Sequence, residues 1–590
     1  MSLIVQKFGG TSVATTEKIL AAARKAIRAQ QQGHQVVMVV SAMGHETDHL
    51  LELAHQITDQ PSARELDMLL STGEQVSVAL MAMAIQSLGS RAISLTGAQI
   101  GIKTDSTHTK ARIQSISTER MQRLLNEGNI VIAAGFQGID EDFNITTLGR
   151  GGSDTTAVAL AAVLKADSCE IYTDVDGVYT TDPRLLPEAR RVRQISYDEM
   201  LELASLGAGV MHSRSIEFGK KFGVPIHVRT SFSDITGTMI VADPESPNQA
   251  VCGAALVKDE ARITVEGVPD RPGASLAIFK RIAAERIAVD MIVQNIGAEG
   301  RATISFTVPK DELKSALALT QAAADELGAK QVTSDDNVAK VSVVGLGMAN
   351  QTGVATKLFA ALAAAGVNIQ AITTSEIKIS ALIAREQAQT ALRVAHAAFE
   401  LEKDPPALNP ESVGRQKRNG TTAEDVVRRL QAMEGLAIDE VELDDTQARV
   451  TVNAVPNKPG IAARLFEEIA AAGIFVDMIV QSFGGAATAT ISFTVPQSDL
   501  EKSLQVAERL AREFGCGGVT NSPKLAKLSV LGIGVRTNTS VAMRVFESLA
   551  KAGINLDMLS TSEVRLNVVV DGANGRRALE TLQKAFADAV

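Results

Sequence analysis

There is no tryptophan in the 590 residues, only three tyrosines, and aromatic residues make up 3% of the chain. The core must therefore be packed from Ala, Val, Ile, Leu and Met, side chains that suit helices stacked on sheets. Cysteine is equally scarce: Cys169, Cys252 and Cys516 stand alone without metal-ligand spacing and read as buried thiols of a reducing cytoplasm. Excess positive charge is lacking too. The formal net charge is -10, which argues against a nucleic-acid or anionic-membrane surface. No apolar run approaches the ~20 residues of a membrane span. The opening MSLIVQKFGG has no basic stretch followed by an apolar core and a cleavage site, so no secretory signal is expected.

What the chain has in abundance is repetition. VDMIVQ at 289-294 returns at 476-481, and ISFTVP at 304-309 returns at 491-496, both at an offset of 187 residues. VSVVGLG at 341-347 and TTSE at 373-376 return as LSVLGIG and STSE at the same offset. Inside each copy runs a weaker repeat of 80 residues, which places Phe279, Phe359, Phe466 and Phe546 in one register. Ile282, Leu362, Ile469 and Leu549 follow three residues later, on the same helical face. Each unit reads as strand, glycine-type turn, helix and alternating strand, a small α+β sandwich used four times. The units are expected at 262-338, 339-402, 446-525 and 526-590, with the polar Pro- and Gly-containing stretch 403-424 as the linker between two pairs.

Residues 1-245 carry no such repeat. Strand-like runs at 3-8, 35-41, 91-95, 129-134, 168-173 and 224-230 alternate with helical runs at 17-31, 64-87, 117-127, 154-165 and 196-206. That order predicts an α/β domain with a mostly parallel sheet sandwiched by helices.

Two glycine-rich turns in this domain carry cations. Lys7-Phe8-Gly9-Gly10-Thr11-Ser12 follows the first strand, and Gly149-Arg150-Gly151-Gly152-Ser153-Asp154 precedes a helix. Glycines let backbone amides approach an anion, and a helix N-terminus adds a positive dipole end. The pair reads as cradles for a polyphosphate and its acceptor, though no GxxxxGK[ST] P-loop is present. A third stretch, Tyr172 to Arg184, follows a strand and is dense in turn residues, suited either to a purine and ribose or to a plain surface loop.

KFGGTSV, STGE at 71-74, RGGSD at 150-154 and TDVDGVYTTDPR at 173-184 together resemble the aspartate kinases of the amino acid kinase superfamily. The four repeat units resemble the ACT domains that those enzymes carry, here as two pairs where one is common. The resemblance implies that ATP is contacted by Lys7, Phe8, Gly9, Gly10, Ser41, Ser153, Thr173, Asp174, Tyr179, Asp182 and Arg184. It implies that L-aspartate is held by Thr47, Glu74, Arg150, Gly151, Gly152 and Ser153, and that Lys7 and Asp154 lie closest to the transferring phosphoryl group. MgATP would be a co-substrate, with no prosthetic group and no resident metal. Lysine and/or threonine would be feedback effectors, the enzyme would be cytoplasmic, and ACT pairing between chains would make a homodimer. An amino-acid sensor with an inactive kinase-like domain is the alternative.

The acceptor would be a β-carboxylate, which at a reference pKa of ~3.9 is already ionised near neutral pH, so no strong general base is required. The difficulty is bringing one anion to another. Lys7 and the glycine amides suit that task, the Arg150 fork suits the α-carboxylate, and Glu74 suits the α-ammonium. For effectors, the turn Asp270 to Ser275, including Gly273, opens a helix, and the two-residue period of a strand puts Asp290 and Gln294 on one face. Asn368, Ile369, Ser375 and Glu376 of the adjacent unit would close that pocket. The second copy supplies Asn457, Gly460, Ala462, Asp477, Gln481, Asn555, Leu556, Ser562 and Glu563, losing a charge and a hydroxyl on the way. Two motifs are decoys. His45-Glu46-Thr47-Asp48-His49 matches HExxH without a third ligand, and Gly345-Leu346-Gly347 lacks GxGxxG spacing.

Overall fold

The computed structural model describes residues 2–207, 210–246, 249–285, 287–296, 300–405, 438–484, 488–532 and 539–587; the anticipated linker lies outside them from residue 406 onward. Strand Ser2–Phe8 is flanked by His34–Val40 and Ser168–Thr173, parallel to both. They centre an eight-stranded sheet, in the order Gln194–Ser196, Thr238–Val241, Ile226–Thr230, Ser168–Thr173, Ser2–Phe8, His34–Val40, Ile130–Ala134, Ala92–Leu95. Only the pairing of Ile226–Thr230 with Thr238–Val241 is antiparallel. Both faces are buried. Phe8, Val36, Met38 and Val40 pack under helices Thr16–Gln31 and Ala63–Ser87, while Val5, Val37 and Val39 meet helix Gly152–Val163. Hence the strands read as continuous apolar runs without alternation. The C-terminal ends of the first strand and its neighbours open on one edge, where an open α/β sheet places its ligands.

One expectation needs correcting. Helix Ala63–Ser87 is long and apolar enough, by length and composition, to cross a membrane. It buries Asp67, Ser71, Glu74 and Ser77 inside the domain, which is how a core helix packs. A small second sheet, Ile113–Ile116, Ile102–Thr104, Gln137–Ile139 and Ile145–Thr147, was not anticipated.

The repeats build a twelve-stranded sheet. Strand Gly253–Pro269 serves two units at once. Its second half pairs with Arg301–Pro309 in the first unit, and its first half pairs with Gln331–Val344, whose later residues pair with Lys378–Ala384 in the second. Ile438–Pro456 bridges the third and fourth units in the same way. Thus the second and fourth units each borrow a strand lying before the unit that precedes them in sequence.

The pairing of units also differs from expectation. The second unit's Ile369–Thr374 hydrogen-bonds the third unit's Ile479–Gly484, and Phe359 packs on Phe466. The first unit pairs with the fourth, Phe279 on Phe546. The side-by-side contacts anticipated between neighbours in sequence are made across the two copies. Asn295 and Ser482, one repeat apart, meet at 2.8 Å where the pairs join.

Candidate active site

Lys7 is the penultimate residue of the first strand, and its Nζ lies 2.6 Å from Asp154 Oδ1 in the first turn of helix Gly152–Val163. Both side chains are nearly buried. A Cβ on Gly9 would sit 3.4 Å from the Lys7 Nζ, so the ammonium lies against the glycine turn. Gly10 is crossed by the segment 41–44. A Cβ there would lie 2.8 Å from the Gly44 carbonyl oxygen and 2.9 Å from that of Ala42. The Ala42 amide donates to Glu74 Oε1 at 3.0 Å, which ties the buried Glu74 carboxylate to the same segment. Its other oxygen, Oε2, is buried without a hydrogen-bond partner. Desolvation pushes the Glu74 carboxyl up to about 7, against two backbone hydrogen bonds that lower it.

On the facing side, Gly151 caps helix Gly152–Val163 in the left-handed region, φ 70°, beside exposed Arg150 and buried Ser153. Thr47 lies in the first turn of helix Glu46–Ile57. The two histidines of the HExxH string are turned to their own neighbours, His45 to Asp48 and His49 to Glu46. Ser41 takes its place through its amide, which donates to the Phe8 carbonyl at 3.1 Å.

The nucleotide-side residues divide. Thr173 ends strand Ser168–Thr173, Asp174 follows it, and the two are hydrogen-bonded at 3.1 Å. Tyr179 donates to Asp176 at 3.0 Å, and Asp182 and Arg184 pair at 2.8 Å at the surface. The Phe8 ring is fully buried and stacked on Tyr172 at 4.6 Å, which leaves its backbone to the turn.

Three residues escaped the sequence reading. Asp67, fully buried on the long helix, accepts from Thr147 Oγ1 at 2.5 Å and from the Thr109 amide at 3.0 Å, fixing the loop beside Gly149. His212 packs against Gly151; a Cβ on that glycine would fall 2.4 Å from the His212 Cβ. His396, on the second unit's helix Ala388–Ala398, lies 2.9 Å from Thr180 Oγ1 in the nucleotide-side loop. A solitary polar residue carries no periodic signal, so only the fold reveals these contacts.

The candidate effector residues converge, but across the copies. Asn555 Nδ2 donates to Asp270 Oδ1 at 2.6 Å, Gln294 Nε2 to the Leu556 carbonyl at 2.6 Å, and Ser275 Oγ to Gln294 Oε1 at 2.7 Å. The equivalent cluster joins Asn368 to Asn457 at 2.7 Å and Gln481 to the Ile369 carbonyl at 3.0 Å, with Gly460 and Ala462 on its wall. The cavities there measure about 10 and 20 Å³, room for a water and no more. A cavity of about 200 Å³ lies on the other side of the second and third units, lined by Gly353, Thr374, Ser375, Glu376, Phe466 and Asp477. Asp290 does not share the face of Gln294. It pairs with buried Lys340, which Glu260 also holds at 2.6 Å. Asp477 pairs likewise with Lys527 at 2.5 Å. Ser562 and Glu563 stand away from Asn555, at the kinase domain, where the Glu563 amide donates to Glu202.

The chain matches the amino acid kinase family over residues 2–230 and the ACT domain over 341–399, 450–510 and 528–586. It is 50% identical over 404 residues to an aspartate kinase of Pseudomonas putida, covering 68% of this chain and 98% of that one. The chain belongs to the aspartate kinase family. Aspartokinase 2 of Bacillus subtilis is 50% identical over 409 residues, covering 69% of this chain and 100% of that one. The solved aspartate kinase from Synechocystis is 41% identical, covers 100% of this chain and 98% of its own, and superposes with a TM-score of 0.53. E. coli aspartokinase III in complex with aspartate and ADP is 25% identical, covering 67% of this chain and 99% of its own, with a TM-score of 0.55. The same enzyme has been solved with lysine and aspartate.

In this kinase the Gly10 turn has no slack, since the atoms a side chain would meet are backbone oxygens. Gly10→Ala is expected to lower turnover at least about 10²-fold, as a displacement of ~1 Å at reacting groups does. Circular dichroism would show the sheet intact.

Proposed function

We propose that this kinase transfers the γ-phosphoryl group of ATP to the β-carboxylate of L-aspartate. The product is 4-phospho-L-aspartate, the entry to lysine, threonine and methionine biosynthesis. The observation that carries the reading is a pair of opposite charges set against one backbone segment, residues 41–44. Lys7 and the Gly9-Gly10 turn form a cationic end, and Glu74, with Oε2 unpartnered, forms an anionic end bound to the same backbone segment. A substrate carrying an ammonium and a reacting carboxylate satisfies both. Glu74 takes the α-ammonium, Arg150 the α-carboxylate, and the amides of Gly151, Gly152 and Ser153 with Thr47 orient the chain.

MgATP enters as substrate, its phosphates on the Lys7 to Gly10 turn and its nucleoside on Ser41, Thr173, Asp174, Tyr179, Asp182 and Arg184. For the adenosine end to settle, Arg184 must leave or share Asp182, to which it is paired. The β-carboxylate oxygen attacks the γ-phosphorus and ADP leaves. Lys7 neutralises charge gathering on the transferring oxygens, and Asp154 keeps the ammonium aimed there.

The ACT units bind lysine and/or threonine. Of the cavities described, the one beside Gly353 and Asp477 has the volume for an amino acid. Helix Val354–Ala364 begins there and offers its amides to a carboxylate, while Asp477 and Glu376, held by Lys527 and Arg565, would share their carboxylates with an ammonium. Hydroxamate trapping with aspartate and then glutamate as acceptor tests the catalytic reading. Hydroxamate with aspartate, at a rate at least about 10²-fold above glutamate, is expected, because a displaced acceptor loses alignment. No hydroxamate with aspartate would sink it.

A further inference from the structure

The regulatory half reaches the catalytic domain at two equivalent points of the repeat. The turn between Ile369–Thr374 and Lys378–Ala384 belongs to the second unit, and the turn between Met558–Thr561 and Arg565–Asp571 belongs to the fourth. Glu376 and Glu563 occupy the same position in these turns, as do Lys378 and Arg565. The two turns touch each other, with Arg565 Nη1 2.6 Å from Glu376 Oε1.

Both turns also close on one residue of the kinase domain. Glu202, on helix Tyr197–Ser205, is fully buried. Its Oε2 lies 2.9 Å from Nζ of Lys378, itself nearly buried, and its Oε1 accepts the Glu563 amide at 2.8 Å. One carboxylate therefore binds the second unit with one oxygen and the fourth with the other. The second unit is paired with the third and the fourth with the first, so both sensor pairs end on this group. Glu199, one turn earlier on the same helix, accepts the Leu346 amide at 3.0 Å and fixes the second unit a second time.

From Glu202 a packed path leads to the substrate loop. Helix Tyr197–Ser205 packs on helix Ser213–Phe222, which packs on helix Gly152–Val163. His212 caps the second of these helices and bears on Gly151, and three residues on, Asp154 holds Lys7. Glu217, on the same middle helix, is pushed up to about 7 by burial and then by the Glu563 carboxylate of the fourth unit's turn.

We propose that Glu202 is the shared positioning residue of this kinase. Both ACT pairs close on its carboxylate, and effector occupancy at either pair is transmitted through it, by way of His212, to the Gly151 substrate loop. The two sensors then draw on one coupling element, and the asymmetry of the copies follows. Lys378 is spent on the kinase domain, while Arg565, its counterpart, ties the two turns together.

The inference rests on the reading that the ACT units bind amino-acid effectors, and the test separates the two. Lysine and threonine are the probes, singly and together, with binding followed by calorimetry and activity by hydroxamate formation in the full-length enzyme. Glu202→Gln, and the paired replacement Glu202→Met with Lys378→Met, which leaves no buried charge unpaired, are the variants. Both should bind the probes as the wild type does, keep turnover without probe within about threefold, and lose at least about tenfold of the inhibition seen at saturating amounts of either probe, a coupling loss of ~1.4 kcal/mol. Unchanged inhibition with intact binding, or loss of response to one probe alone, overturns the shared residue. If the wild type binds neither probe, the effector reading fails instead, and amide hydrogen exchange decides. Faster exchange in 213–222 and 149–154 in the variants upholds the path, and unchanged exchange there overturns it.

Discussion

Lys7→Met lowers phosphoryl transfer by about 10³-fold or more, with little change in the folded structure. Removing one preorganised donor from a site of developing negative charge costs ~10²–10³-fold. Here the loss is larger, because Asp154 stays behind. Its carboxylate lies 2.6 Å from the lysine, and both side chains are nearly buried. Without the ammonium, that carboxylate confronts the phosphates with a like charge. The double variant Lys7→Met, Asp154→Asn removes the repulsion and the buried unpaired charge together. It should regain the stability lost by Lys7→Met alone, because deleting one partner is worse than deleting both. It should not regain turnover. Hydroxamate rates and thermal melts on the wild type and the two variants check this. Recovery of activity in the double variant would mean that Lys7 serves only to hold Asp154.

Glu74→Gln stabilises the enzyme above neutral pH while crippling its hold on aspartate. Burial raises the Glu74 carboxyl from its ordinary 4.5 to about 7. A carboxyl raised on folding favours the folded state fully below its unfolded pKa, and that contribution is lost as the pH rises through the folded pKa. The loss therefore falls between about pH 4.5 and pH 7. At pH 8 the ionised, half-partnered carboxylate costs about 3 kcal/mol, since each pKa unit is ~1.4 kcal/mol. Glutamine keeps the bond to the Ala42 amide without that charge. The variant should be more stable at pH 8 by up to about 3 kcal/mol, with the difference fading towards pH 5. A charged hydrogen bond to the substrate ammonium contributes ~1.5–3 kcal/mol, so the KM for aspartate should rise about 10- to 10²-fold. In the wild type, that KM should fall as the pH is raised towards 7 and then level off, and in the variant the dependence should vanish. Denaturant titrations and KM profiles from pH 5 to 8.5 check both halves. An unchanged KM would take Glu74 out of the aspartate site.

The strands and helices of the kinase domain that were read from sequence all occur within a few residues of their anticipated positions, because long buried runs and amphipathic helices carry strong periodic signals. The second sheet was not legible, since its strands of three or four residues are shorter than any periodic window. Lys7, Gly9, Gly10 and Asp154 do come together, as two cation-bearing glycine turns implied. Asp290 failed for a specific reason. Alternation along a strand places it with Gln294, but the register shifts between Asp290 and Val293, and Met291 turns to a φ of 44°. That bulge sends the carboxylate to the other face, where Lys340 takes it. The exchange of partners across copies was illegible because all four units present similar edges, and a repeat fixes what each unit is without fixing which one it meets. The contact of His212 with Gly151 and the convergence on Glu202 depend wholly on that tertiary arrangement.

Direct transfer between two substrates held at one site makes the acyl phosphate and ADP together. Phosphorus NMR of the full-length enzyme with MgATP and L-aspartate should then show an acyl-phosphate resonance that grows in step with ADP, depends on aspartate, and is absent with Lys7→Met. ATP consumed to inorganic phosphate with no acyl-phosphate resonance, or ATP left intact when aspartate is present, would contradict it.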